Sequence, residues 1–294
     1  MKPANFQYYD PTTIEEVVDL LSQFGDQARP LAGGQSLVPL MNFRLLRPAH
    51  LIDLNGVRDL SYLRVQNGDL RIGATTRQRQ LERSPDVANG WPLLGEATGY
   101  IGHMQIRNRG TVGGSLAHAF PSAELPVAMV TLGASLVLSG KARQRTVSAE
   151  DFFLSTMTTV LEPDELLTEI RVPKSSANTG WSYQEVSRRH GDFAMAGSAA
   201  LVKLDPTGNI DHARLTVTGI TPIRVRRAEE IVTGQKPTVA LFRDAVRKAM
   251  DGLEQDSDIH ASAEYRRSAC EVLGERTLLE AAERAANSSK GQPQ

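Results

Sequence analysis

The chain has 294 residues, of which 40% are hydrophobic and 23% charged, with a formal net charge of −1. That is the composition of a soluble globular protein long enough for two domains, and its charge balance excludes a general attraction to nucleic acid or to anionic membrane. The single cysteine, Cys270, excludes an internal disulfide, and also an iron–sulfur cluster or thiolate zinc site built by this chain alone.

The first residues, MKPANFQYYDPTT, contain no apolar run of signal-peptide type. No stretch approaches the ~20 apolar residues of a membrane-crossing helix, so the expected location is cytoplasmic, without membrane insertion. Asp10-Pro-Thr-Thr reads as a helix entry, with Thr12 or Thr13 as N-cap, Glu15 and Glu16 in the first turn, and Ile14, Val17, Val18 and Leu21 as the apolar stripe. Short strands are expected at 29–32 and 51–54. A hairpin is expected at 62–65 and 69–72, joined by Asn67-Gly68. Residues 84–97 read as helical or irregular, 123–132 as a helix, and 135–138 and 167–172 as strands. The polar segment after Pro173 reads as a domain boundary. Beyond it come three strands, at 181–186, 199–204 and 210–219, with Asp205-Pro-Thr-Gly-Asn209 as the turn between the last two. Helices follow at 239–252 and 261–286. The pattern is α+β, not a repeating βαβ array.

Among 24 glycines only two adjacent pairs occur, in Ala32-Gly33-Gly34-Gln35-Ser36 and Thr111-Val112-Gly113-Gly114-Ser115. Each reads as a turn after an extended segment. Glycine admits positive φ and lets a ligand approach the backbone, and successive N–H groups can form a concave anion site. Two such turns, each with a serine hydroxyl, could hold one pyrophosphate from both sides. Neither matches a P-loop or GxGxxG, and a glycine pair alone is more often an ordinary tight turn. The six histidines (50, 103, 118, 190, 212, 260) show no HExxH and no i, i+4 pair, so no metal site is expected. The basic clusters Arg107/Arg109, Arg188/Arg189 and Arg224/Arg226/Arg227 read as solvated or partner-facing surface.

Several segments occur together in a characteristic order: Phe6-Gln-Tyr-Tyr-Asp-Pro, Leu31-Ala-Gly-Gly-Gln-Ser-Leu-Val-Pro-Leu-Met-Asn, Gln105-Ile-Arg-Asn-Arg-Gly-Thr-Val-Gly-Gly-Ser-Leu-Ala-His-Ala, Ser122-Ala-Glu-Leu-Pro, Arg188-Arg-His-Gly-Asp-Phe-Ala and His260-Ala-Ser-Ala-Glu-Tyr-Arg-Arg. Over nearly the whole chain this resembles the FAD-binding middle subunits of molybdenum hydroxylases, such as carbon monoxide dehydrogenase, xanthine dehydrogenase and bacterial N-heterocycle dehydrogenases. The resemblance implies a two-lobed FAD-binding PCMH-type domain at 1–176. It implies a small C-terminal domain of antiparallel sheet plus helices at 177–286, with a flexible tail at 287–294. It implies an oxidoreductase subunit that binds FAD non-covalently and supplies no catalytic residue for the substrate. Electrons would come from the [2Fe–2S] clusters of a small subunit, fed by a large molybdopterin subunit, in a heterotrimer or its dimer.

The resemblance also implies roles. Ala32, Gly33, Gly34, Gln35 and Ser36 would surround the FAD phosphates. Thr111, Val112, Gly113, Gly114 and Ser115 would complete the cradle. Glu124 would accept hydrogen bonds from the cofactor's hydroxyls; alternatively it is an acid at a helix N-terminus. Leu161 would lie against the flavin, or else be a core leucine. Asp192 and Phe193 match an element beside the isoalloxazine, or else form a connecting turn with a buried ring. His118 is assigned no catalysis. Two positions depart from the family pattern: Phe120 stands where relatives commonly have Asp, and Gln184 where they often carry Lys near the flavin edge. Two other readings stay open: a self-contained flavoenzyme of the wider superfamily, and a flavin-free scaffold subunit, against which the two intact glycine motifs argue. The substrate and terminal acceptor are not specified by this chain.

Overall fold

The computed structural model describes residues 2–290. Contacts group the chain into two units that interleave along the sequence. The first is built from the segment up to Ser84 with His103–Ala119 and Ala134–Pro173; the second from Pro85–Gly102, Phe120–Gly133 and the chain from Lys174 onward. The sequence suggests one cut at 176/177. By contacts, two helical segments of the first part pack with the C-terminal part, because apolar surface, not chain order, decides which residues share a core.

The first unit holds two sheets. The smaller is parallel, with His50–Asp53 between Gln7–Tyr9 and Ala28–Leu31. Helix Ile14–Phe24 covers it, burying Val17, Val18 and Leu21 beside Ile52, Leu54 and Leu60. Thr13 is the N-cap: its hydroxyl accepts the Glu16 N–H at 3.2 Å, while the Glu16 carboxylate accepts the Thr13 N–H at 3.3 Å. The larger sheet is antiparallel, in the order Leu63–Gln66, Asp69–Gly73, Leu166–Val172, Ser135–Ser139, Gln144–Ser148. Its first hairpin turns through Asn67 (φ 54°) and Gly68 (φ 85°), the two left-handed residues of a tight type I′ turn.

The second unit is a four-stranded antiparallel sheet, Thr179–Val186, Ala196–Leu204, Ile210–Val217, Ile223–Arg224, in that order. Helices Arg226–Val232, Val239–Met250 and Ala263–Lys290 supply Ala228, Phe242, Val246, Leu278 and Ala281 to a core shared with Leu215. Helices Pro92–Tyr100 and Glu124–Leu132 also pack on its strands. The mixed α+β architecture agrees with the expected class. The last helix runs through 287–290, part of the expected tail; residues 291–294 of that tail lie outside the described residues. Among the described residues no helix is long and apolar enough to cross a membrane.

Candidate functional site

In the first unit the strand Ala28–Leu31 leaves the parallel sheet and turns through residues 32–36 into helix Leu37–Asn42. Gly34 has φ 72°, in the left-handed region that glycine occupies without a Cβ penalty. The carbonyls of this turn are held. Ala32 O accepts from Asn55 Nδ2 at 3.0 Å, Gly33 O from Gln35 Nε2 at 3.3 Å, and Gly34 O from the Val38 N–H at 3.1 Å. The amides are not. Among the described residues, the N–H groups of Gly33, Gly34, Gln35 and Ser36 donate to no protein acceptor. A run of open amides on a turn of this kind is a concave site for an anion.

The second glycine motif differs from the expected turn. It follows helix Met104–Arg109, not a strand, and forms the first turn of helix Val112–His118 with Thr111 as N-cap. Its amides are already engaged. Val112 N–H donates to Thr76 O at 2.9 Å, Gly113 N–H to Ala74 O at 2.9 Å, Gly114 N–H to Thr111 Oγ1 at 3.1 Å and Ser115 N–H to Thr111 O at 3.1 Å. The glycines here serve close packing instead. A Cβ on Gly113 would lie 2.6 Å from the Ala74 Cβ, and one on Gly114 2.6 Å from Thr111 Oγ1 and 3.7 Å from the Ala32 Cβ. A Cβ on Gly33 would lie 2.3 Å from Arg109 O and 2.9 Å from the Gly110 Cα. Residues 32–36 and 109–115 therefore meet backbone against backbone. The hydroxyls of Ser36 and Ser115 have no protein partner among the described residues. Leu161 belongs to the same unit and is half-buried, its N–H donating to Thr159 Oγ1 at 3.3 Å.

The remaining candidates lie in the second unit. Glu124 is the first residue of helix Glu124–Leu132 and is buried. Tyr183, fully buried, has its phenol pushed well above its ordinary pKa by burial and by the nearby carboxylates of Glu185 and Glu124. Tyr183 donates to the Glu185 carboxylate at 2.9 Å, and burial raises that carboxyl to about 7. Gln184, the next residue but one before Val186, donates its side-chain amide to Glu280 at 2.8 Å, where Ser182 donates too. Strand alternation thus turns Gln184 toward helix Ala263–Lys290. Asp192 and Phe193 lie in the connection to Ala196–Leu204, closed by the Met195 N–H donating to Val186 O at 2.8 Å. Phe193 is 67% exposed, so the alternative of a buried ring does not hold; its ring stands 4.6 Å from that of Phe120. Burial lowers the His118 pKa, which keeps the imidazole neutral near pH 7. The Cys270 thiol is buried and raised to about 11. No group of three or more His, Cys, Asp or Glu among the described residues could hold a metal.

Residues 4–175 match the FAD binding domain in molybdopterin dehydrogenase, and residues 181–281 the CO dehydrogenase flavoprotein C-terminal domain. The chain belongs to this flavoprotein family. It is 40% identical over 287 residues to the 6-hydroxypseudooxynicotine dehydrogenase complex subunit alpha of Paenarthrobacter nicotinovorans, covering 97% of each chain. It is 37% identical to caffeine dehydrogenase subunit beta of a Pseudomonas species, again covering 97% of each. Among solved structures it is similar to carbon monoxide dehydrogenase from Hydrogenophaga pseudoflava, with a TM-score of 0.94, 38% identity, and 97% of this chain and 99% of that one covered. A member of this family is the dehydrogenase component of a molybdenum hydroxylase, an oxidoreductase subunit.

The residues of the first unit fit FAD. A row of open amides and two hydroxyls without a protein partner suit a diphosphate, and the backbone contact of Gly33 with Arg109 and Gly110 holds the turn that carries those amides. Two residues of this region escape sequence reasoning. Asn55 carries a weak signal, because its N–H donates to Asp53 Oδ1 at 2.9 Å in an Asx turn. Arg77 carries none: it lies 41 residues beyond Ser36, the end of the first turn, and is drawn in by the fold.

Proposed function

We propose that this chain is the FAD-carrying medium subunit of a heterotrimeric molybdenum hydroxylase, passing electrons from [2Fe–2S] clusters of a small subunit through FAD to an external acceptor. The observation that supports it most is the run of open amides at Gly33, Gly34, Gln35 and Ser36, braced against Arg109 and Gly110. FAD, when bound, supplies a carrier that accepts electrons singly and releases them in pairs. The chain's own residues bind and orient. The amides of residues 33–36 and the hydroxyls of Ser36 and Ser115 hold the diphosphate. Gly114 faces Ala32, Thr111 caps the Gly114 N–H, and Val112 and Gly113 anchor the second motif to Thr76 and Ala74. Leu161 in the first unit, and Glu124, Asp192 and Phe193 in the second, are assigned by family pattern alone. Gln184 is the weakest of that set, its amide being committed to Glu280.

One cysteine cannot ligate iron–sulfur clusters, so the clusters and the molybdopterin belong to partner subunits. Relatives of similar identity are named for a nicotine derivative and for caffeine. The substrate therefore belongs to the partner that holds its pocket, and the complex is assigned to the cytoplasm. The family division into a flavin domain at 1–176 and a C-terminal domain at 177–286 is part of the same assignment.

Purification of the tagged chain with its co-expressed neighbours tests this. About one acid-releasable FAD per chain is expected, with a large and a small companion subunit. A folded chain that neither carries nor takes up FAD overturns the assignment. Substrate turnover by the chain alone would make it a self-contained flavoenzyme instead.

A further inference from the structure

The two backbone segments of the cradle come from distant parts of the chain, and one side chain ties them. Arg77 stands just before helix Gln78–Arg83 and pairs with Thr111 in an isolated bridge. One arm of its guanidinium donates to the carbonyl of Arg109, the oxygen against which Gly33 is packed. The other arm donates to Asn55 Oδ1 at 2.6 Å. Asn55 in turn donates from Nδ2 to Ala32 O at 3.0 Å and to Asp53 Oδ1 at 2.5 Å. A single chain of hydrogen bonds therefore runs from the first residue of the 32–36 turn, through Asn55 and Arg77, to the segment leading into Thr111. No carboxylate forms an ion pair with Arg77 among the described residues. The guanidinium is half-buried; burial and the positive charge of Arg109 lower its pKa, and the charge of the Asp53 carboxylate partly offsets them. A cation kept there against desolvation and a like charge has its fork spent on geometry.

We propose that Arg77, acting through Asn55, is the positioning residue of the FAD cradle: it fixes the separation of the 32–36 turn and the 109–115 segment at which the open amides of residues 33–36 address a diphosphate. This rests on the assignment of the site to FAD. Lysine carries the charge but not the planar fork that spans the Asn55 amide and the Arg109 carbonyl.

Two measurements on the full chain test it. The first needs no cofactor. Hydrogen–deuterium exchange of the FAD-free protein should show faster uptake at the hydrogen-bonded amides of helix Leu37–Asn42, which follows the 32–36 turn, and of 110–115 in Arg77→Gln and in Asn55→Ala, with the large antiparallel sheet of the first unit unchanged. The second is FAD affinity by titration. Arg77→Gln, Asn55→Ala and the double variant should each weaken binding by about tenfold, the size of one bridging hydrogen bond to a charged group, and the double should lose no more than either single. Arg77→Lys should resemble Arg77→Gln. Full affinity in Arg77→Lys with loss only in Arg77→Gln would show that charge alone matters and would overturn the clamp. So would unchanged exchange at both segments, or losses that multiply in the double variant. If the parent chain binds no FAD, the cofactor assignment fails, while the exchange experiment still decides whether Arg77 holds the two segments together.

Discussion

Gly33 and Arg109 meet backbone to backbone: a Cβ on Gly33 would stand 2.3 Å from the Arg109 carbonyl oxygen. Seventy-odd residues of sequence separate them, yet this contact joins the two glycine motifs. It explains why a glycine is needed at position 33, where φ is not positive and conformational freedom is not the reason.

Gly33→Ala should therefore lose FAD and also stability, by about 1–3 kcal/mol, the usual cost of forcing an atom into a packed backbone contact. Flavin content after purification and the thermal midpoint of the cofactor-free protein check the two effects separately. Gly99→Ala is the contrast. It lies in helix Pro92–Tyr100 with nothing within 4 Å of its added Cβ. It should stabilise by about 0.5–1 kcal/mol and leave FAD content unchanged.

Glu185 predicts a stability that falls as pH rises. Its carboxyl is raised from the ordinary 4.5 to about 7 by burial, against which the Tyr183 hydrogen bond works. The folded state thus binds a proton that the unfolded chain releases near 4.5. This contribution is complete below that pH and is lost as pH climbs through about 7. The loss should be of order 2 kcal/mol after allowance for its partial exposure. Urea unfolding between pH 4.5 and 8 should show this slope, and Glu185→Gln, which can still accept from Tyr183, should flatten it.

Glu165 should behave in the opposite sense. Arg145 donates to both its oxygens, at 2.8 and 2.7 Å, and this pairing holds its pKa below the ordinary value despite burial. The resulting stability is present above the unfolded pKa and disappears as pH falls through the lowered folded one. Arg145→Ala leaves the carboxylate, whose side chain is 2% exposed, with only the longer Arg143 pair at 3.7 Å and the Glu162 N–H at 3.1 Å, and should cost about 2 kcal/mol at neutral pH. Chemical denaturation at pH 7 and pH 3 measures both statements, the variant's deficit shrinking at the lower pH.

Phe193→Ala should change stability by no more than about 0.5 kcal/mol, because the ring is largely exposed. If Phe193 lies by the isoalloxazine, the flavin absorption bands of the purified variant should shift at unchanged FAD content. Unaltered bands would remove it from the site.

Local chemistry made several elements readable. The Thr13–Glu16 capping box announced helix Ile14–Phe24, and Asn67-Gly68 announced its hairpin, because each signal and its effect lie within four residues. The polar, three-residue strand Gln7–Tyr9 had no such signal; it exists because His50–Asp53 offers it a parallel partner. The second glycine motif was legible as special but not as a closed helix start, since Thr76 and Ala74, which take up its first two amides, come from elsewhere in the chain. Gln184 was placed by family position, while strand alternation and Glu280 decided where its amide goes.

The sequence by itself determined the family, the α+β class and the presence of an FAD-binding domain, because those rest on linked motifs that are legible in chain order. Only the tertiary structure decided how the two glycine motifs divide their work. One keeps its amides open, and the other spends them on Thr76, Ala74 and Thr111 while using its missing side chains to admit a neighbour. Whether an N–H group is open or satisfied depends on acceptors brought from far along the chain, and no local pattern records them.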